Sequence, residues 1–177
     1  MGFEMSSRLA FLGWARLHRS VLRDTKVPYN TDLLWPQVSH IHVLNNLSDY
    51  YQISYLCDES QDSIEHCSKK VTGCIPKTTS SPEELISSPD VDVVLISNVN
   101  AFHPSHAILA LKYNKHVLVE KPLALNYRDI DAIMSAEKAS EANVFVGYQR
   151  RYAEAFLDAV REVGNMDKIE YIRVRGK

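Results

Sequence analysis

Apolar residues in this chain fall into short continuous runs separated by longer stretches with helical spacing. Leu9-Ala10-Phe11-Leu12 is one such run. It stops at Gly13, as a buried strand feeding a turn would. Ser39 is placed to cap a helix that carries Ile41, Leu44 and Leu47 on one stripe, and Tyr51 to Leu56 reads as a second strand ending at Cys57-Asp58. Asp62 to Val71 predicts a polar helix, and Pro82 to Ile86 begins another behind Ser80-Ser81. Val93 to Ile96 is apolar at every position, the pattern of a strand covered on both faces. A helix follows over His103 to Tyr113, then a strand over His116 to Val119, a helix from Tyr127 to Ser140 and a strand over Asn143 to Val146. Asp24 to Gln37 has two prolines and no period, and it reads as an irregular insertion spanning residues 24–38.

Strands alternating with helices through short links predict an α/β fold, a doubly wound and mostly parallel sheet with right-handed crossovers. Ligands of such sheets lie beyond the carboxyl ends of the strands. Those ends carry Gly13, Asp58, Ser97 with Asn98 and Asn100, Glu120 with Lys121, and Gly147 with Gln149 and Arg151.

Composition narrows the ligand. Charged residues make up 24% of the 177 and the formal net charge is -2, a balance that favours neither a nucleic-acid nor a membrane partner. A small molecule is the expected ligand. Cys57, Cys67 and Cys74 are odd in number and form no Cys-x-x-Cys pair, which argues against a disulfide framework and a structural zinc site. The acidic Glu4 and the short apolar stretch near the N-terminus do not make a secretory signal, so a reducing, cytoplasmic setting is expected. His103 and His106 stand three apart, but no third ligand accompanies them, and no metal is expected.

Gly13-Trp14-Ala15-Arg16-Leu17-His18 sits where a dinucleotide loop of the form G-x-G-x-x-G would follow the first strand. Only the first glycine is present. Ala15 adds a methyl where the backbone approaches a pyrophosphate, and His18 adds bulk where helix and strand pack. Asp58 is the candidate acceptor for the adenine ribose hydroxyls. A carboxylate there repels a 2'-phosphate, so of NAD and NADP it favours NAD.

The stretch Ser97-Asn98-Val99-Asn100-Ala101-Phe102-His103, with His116-Val117-Leu118-Val119-Glu120-Lys121-Pro122-Leu123-Ala124 after it, resembles the Gfo/Idh/MocA oxidoreductases, whose hallmark is a strand followed by Glu-Lys-Pro. The resemblance runs from about Ser39 to Lys177. It implies a Rossmann domain over residues 1–146 that binds NAD or NADP, and hydride transfer to or from a sugar, polyol or related hydroxyl compound. It makes Lys121 the catalytic residue, with Glu120 orienting it. Gly13, Ala15, Asp58, Ser97, Asn98, Asn100, His103, Glu120, Lys121, Gln149 and Arg151 then border the cofactor. A lysine ammonium suits such chemistry because it stabilises the alkoxide character that grows as hydride leaves the adjoining carbon.

Gly147 to Tyr152 resembles the family's passage into a second, α+β substrate domain. Residues 147–177 would be its first helix, with Ala155, Phe156, Ala159, Val160 and Val163 on one face, and its first strand, Ile169 to Val174. The expectation is a domain truncated before most of its sheet. Its last strand would be an edge through which copies could pair as a homo-oligomer. Two other readings stay open: a noncatalytic dinucleotide-binding or regulatory module, and an inactive truncated product.

Overall fold

The computed structural model describes residues 7–12 and 36–164. Among these residues six strands form a single sheet: β1 (Ser7–Leu12), β2 (Tyr51–Cys57), β3 (Lys77–Thr79), β4 (Val93–Ile96), β5 (His116–Val119) and β6 (Val144–Val146). Their spatial order is β3-β2-β1-β4-β5-β6, and all five pairings are parallel. This is the order of a Rossmann sheet, with the direction of winding reversing between β1 and β4.

Parallel strands need crossovers, supplied here by α1 (Pro36–Asn45), α2 (Gln61–Ser68), α3 (Pro82–Ser87), α4 (His103–Lys112) and α5 (Tyr127–Lys138). Two apolar clusters show how they are distributed. Val94 and Ile96 of β4, with Val117 and Val119 of β5, pack among residues of α3, α4 and α5 that include Leu85, Ala107, Leu111 and Ile133. Leu95, between Val94 and Ile96, packs instead with Ile41 and Leu44 of α1 and Cys67 of α2. Alternate residues of β4 therefore feed opposite faces, and the sheet is covered on both sides.

β2 departs from simple alternation. Leu9 pairs with Ile53 and Ala10 with Tyr55, so Ser54 is an extra residue on that strand. The bulge turns Ile53 to the face of Leu56, three positions on, and puts Tyr55 with Cys57 in the other cluster.

Helix starts follow the expected chemistry, with one revision. Ser81 accepts from the Glu84 amide at 3.3 Å, with Pro82 in the first turn of α3. Ser60 accepts from the Ser63 amide, so α2 begins at Gln61, slightly ahead of the expected Asp62. Ser39, expected to cap α1, lies inside it, because the helix already begins at Pro36. A proline's fixed φ and missing N–H suit the first helical position. β3 was not anticipated, since Lys77-Thr78-Thr79 offers no apolar residue to signal a strand.

α4 ends in a Schellman turn. The Lys115 amide donates to Ala110 O at 2.9 Å and the Asn114 amide to Leu111 O at 2.9 Å, with Asn114 at φ 53°. Asn114 Oδ1 accepts from Ser140 Oγ at 3.0 Å and from the Glu141 amide at 3.3 Å, tying the end of α4 to the segment after α5.

The chain separates into two compact units, residues 1–147 and residues 148–177. In the second, a single 3-10 turn over Gln149–Tyr152 leads into α6 (Glu154–Val163). Phe156, Leu157 and Val163 of α6 are exposed. The strand expected over Ile169 to Val174 lies outside the described residues, as do Gly13, Ala15, His18 and most of the irregular segment. No helix among the described residues is long and apolar enough to cross a membrane.

Candidate functional site

The pairing register levels the carboxyl ends of the strands. Leu12 pairs with both Cys57 and Ile96, Ile96 with Val119, Val119 with Val146, and Cys57 with Thr79. The residues that follow, Asp58, Ser97, Glu120 and Gly147, consequently share one rim. Hydrogen bonds carry the ladder a step further there, from the Asp58 amide to Thr79 O, Glu120 to Ile96 O and Gly147 to Val119 O.

Asp58 is 5% exposed, and its Oδ1 accepts from the Ser60 amide at 2.8 Å, closing the turn that starts α2. Its carboxylate is thus fixed at the tip of β2. The thiols nearby are held in their protonated form. Burial, followed by the charges of Asp58, Glu84 and Glu59, pushes Cys57 up to about 12. Burial and Asp58 push Cys67 up to about 11, against a smaller opposing effect of Lys70.

Ser97 and Asn98 continue from β4, and Asn100 opens a 3-10 turn over Asn100–Phe102. Asn98 Nδ2 donates to His106 Nδ1 at 2.7 Å, a bond that requires the acceptor form of that nitrogen. Burial, reinforced by the neighbouring His103 ring, holds the His106 pKa below its ordinary value, in keeping with an accepting ring. Asn98 Oδ1 is buried and accepts no hydrogen bond among the described residues.

The His103 ring is 1% exposed, with Nδ1 2.8 Å from Pro122 O and Nε2 3.0 Å from Asn98 O. Both nitrogens face carbonyl oxygens of the chain. His103 therefore links the turn after β4 to the turn after β5.

Glu120 and Lys121 form the turn after β5, in which the Lys121-Pro122 peptide is cis. The Glu120 carboxylate is committed on both sides. Oε1 lies 2.8 Å from His40 Nε2, a donor from α1, and Oε2 accepts from the Lys121 backbone amide at 3.3 Å. Glu120 thus acts on Lys121 through its backbone. The Lys121 side chain is exposed, and its ammonium has no hydrogen-bond or ion-pair partner among the described residues. A methyl added at Gly147 would stand 3.4 Å from Val119 O and 3.5 Å from the Glu120 carboxylate, so glycine keeps this part of the rim low.

His40 escaped the sequence reading, although a signal exists. It stands four residues before Leu44 on the core-facing stripe of α1, where a polar group needs a partner. That partner is 80 residues away in sequence. Gln149 and Arg151 belong to the second unit, where both are exposed and the Arg151 guanidinium lies 5.6 Å from the centre of the Tyr152 ring. Among the described residues no group of three or more His, Cys, Asp or Glu side chains could hold a metal ion.

The rim fits a dinucleotide. Among the described residues it offers a buried amide oxygen with no donor at Asn98, a fixed carboxylate at Asp58, an open ammonium at Lys121 and a residue without a side chain at Gly147.

Comparison with known proteins agrees with this geometry. Residues 37–148 match the family model described as "Oxidoreductase family, NAD-binding Rossmann fold". Over 144 residues the chain is 29% identical to a myo-inositol 2-dehydrogenase of Thermotoga maritima, an alignment covering 80% of this chain and 42% of that protein. Over 73 residues, 41% of this chain and 21% of the relative, it is 42% identical to a 1,5-anhydro-D-fructose reductase of Ensifer adhaerens. The crystal structure of a probable dehydrogenase from Thermotoga maritima superposes with a TM-score of 0.67 at 26% identity, covering 88% of this chain and 40% of that one. The chain therefore spans less than half the length of these relatives. The family model, the sheet order and the Glu120-Lys121-Pro122 turn converge, and the chain belongs to the Gfo/Idh/MocA oxidoreductase family, with an NAD-binding Rossmann fold.

Proposed function

We propose that this chain is the cofactor-binding half of an oxidoreductase that moves hydride between a nicotinamide dinucleotide and a hydroxyl-bearing carbon of a polyol or sugar. Residues 1–146 are its Rossmann domain and residues 147–177 begin its substrate domain. The observation that carries this reading is Lys121, an exposed ammonium without a partner among the described residues, set at the carboxyl end of β5 by a turn held on both flanks. The relatives support the substrate class, since their names are those of an inositol dehydrogenase and an anhydrofructose reductase.

When bound, the nicotinamide ring supplies the acceptor or donor of hydride. The chain's own groups do the rest. The Lys121 ammonium donates a hydrogen bond to the substrate oxygen, stabilising negative charge there as the neighbouring C–H bond breaks. Asn98 and Asn100 line the turn beside it, and Asp58 accepts from the adenine ribose hydroxyls. Because Asp58 carries a charge where a 2'-phosphate would lie, NAD is the preferred cofactor.

Titration with NADH and NADPH, followed by the fluorescence of the reduced nicotinamide, tests the reading. NADH is expected to bind more tightly. Asp58→Asn, which retains an oxygen for the Ser60 amide, should shrink the preference about tenfold, ~1.4 kcal/mol. Lys121→Ala should leave NADH affinity within about twofold while abolishing hydride transfer to inositol-like substrates in the protein that carries the complete substrate domain. An absence of binding by either nucleotide at millimolar concentration would defeat the proposal.

A further inference from the structure

We infer that His40 is a positioning residue for Lys121: by holding the Glu120 carboxylate, it prevents that carboxylate from pairing with the neighbouring ammonium. The inference rests on the reading of Lys121 as the reacting amine. A glutamate directly before a lysine is an obvious partner for it, and an ammonium so occupied is a poorer donor to a substrate oxygen. In this chain the pairing is absent among the described residues, and the reason is visible. Glu120 Oε1 is taken by His40 Nε2 at 2.8 Å, and Oε2 by the Lys121 backbone amide at 3.3 Å. The carboxylate is drawn away from the lysine side chain and toward α1. The His40 and Glu120 side chains are 27% and 18% exposed, so the bond between them is shielded from water more than a surface pair is.

The other flank of Lys121 is held independently. His103, from α4, faces Pro122 O at 2.8 Å and Asn98 O at 3.0 Å, and its ring is buried. The residues before and after Lys121 are thus tied to two different helices on opposite faces of the sheet, and among the described residues nothing holds the lysine side chain itself. α1 is also the helix that follows β1, the element whose start borders the pyrophosphate in a Rossmann fold. His40 therefore couples the seating of that helix to the freedom of the amine.

The test uses this chain without nucleotide and reads the reactivity of Lys121 directly. The chain is briefly acylated with an amine reagent, and modification of Lys121 is compared by mass spectrometry with that of Lys112, an exposed lysine of α4. In His40→Ala, Glu120 is released and Lys121 should acylate about two- to fivefold more slowly relative to Lys112, the range a solvent-facing ion pair provides. His40→Gln places an amide donor near the position of Nε2 and should restore the parent ratio. In the double variant His40→Ala, Glu120→Ala, no carboxylate remains to capture the amine, and the slowing should vanish. A merely structural role for His40 would not be relieved by removing Glu120.

An unchanged ratio in His40→Ala, or equal slowing in the single and double variants, would overturn the inference. Should His40→Ala fail to fold, His40→Leu fills the same place without a donor and permits the same comparison. NADH titration of the parent chain separates the two readings. Absence of binding would remove the functional proposal, while the labelling ratios would still decide whether His40 holds Glu120 off the amine.

Discussion

His106 illustrates how one side chain in this rim is fixed by its neighbours. Its Nδ1 accepts from Asn98 at 2.7 Å, its ring stacks on Phe102 with centroids 5.9 Å apart, and burial lowers its pKa from 6.5. A histidine whose folded pKa is depressed favours the fold in its neutral form. Its contribution is complete above the ordinary value and is lost as the pH falls through the folded one. The chain should accordingly lose stability to urea as the pH falls below 6.5, and His106→Gln, which has no proton to gain there, should lose less. Equal losses in the two proteins would mean that His106 is not the group responsible. The same contact shows why single residues at the rim were unevenly legible. Glu120 and Lys121 stand next to each other in a recognisable motif, whereas the roles of His40 and His103 depend on partners 80 and 19 residues away. His103 was expected beside the cofactor on the strength of the family resemblance. The fold puts its ring beneath the turn after β4, against two carbonyls.

Among the elements, α4 offers the clearest test of a local device. Asn114 combines a backbone at φ 53° with a side chain that joins the ends of α4 and α5. Asn114→Gly keeps the backbone conformation and removes the link, while Asn114→Ala loses the link and strains the backbone. Both variants should therefore be less stable than the parent, with alanine the worse by about 1 kcal/mol in chemical denaturation. Similar stability of the two would show that the side-chain link, and not the turn, carries the effect. The strands most readable from sequence are β4, apolar at every position, and β5, apolar from Val117 to Val119, because both faces of the sheet are covered there. β3 could not be read because an edge strand of Lys77, Thr78 and Thr79 has nothing apolar to bury. The Ser54 bulge was hidden for a different reason. Tyr51 to Cys57 is apolar at so many positions that its pattern is compatible with either registration, and pairing with β1 decides which face each residue takes. The start of α1 was obscured by Pro36, which ends a turn-rich stretch and at the same time opens a helix.

At the scale of the molecule, the sheet order and its covering helices follow from alternation and handedness, which act over the whole chain and survive irregularities in any one segment. The substrate is not legible in the same way, since the alignments cover only 42% of the inositol dehydrogenase and 40% of the matched dehydrogenase structure. The join between β1 and α1 is informative in its own right. Leu12 is registered against Cys57 and Ile96, and Ile41 and Leu44 are buried beside Leu95, although residues 13–35 intervene. The entropy of closing a chain segment rises only with the logarithm of its length, so an enlarged link at this point is inexpensive for the core. Exchanging it for a compact glycine hairpin bend should leave the tertiary contacts of both neighbours intact and raise the free energy of unfolding by about 1 kcal/mol. The link between β1 and α1 is consequently a replaceable part of this scaffold. A variant with the shortened join that melts no lower than the parent, and grips NADH more tightly, would show that the scaffold and the grip can be altered independently.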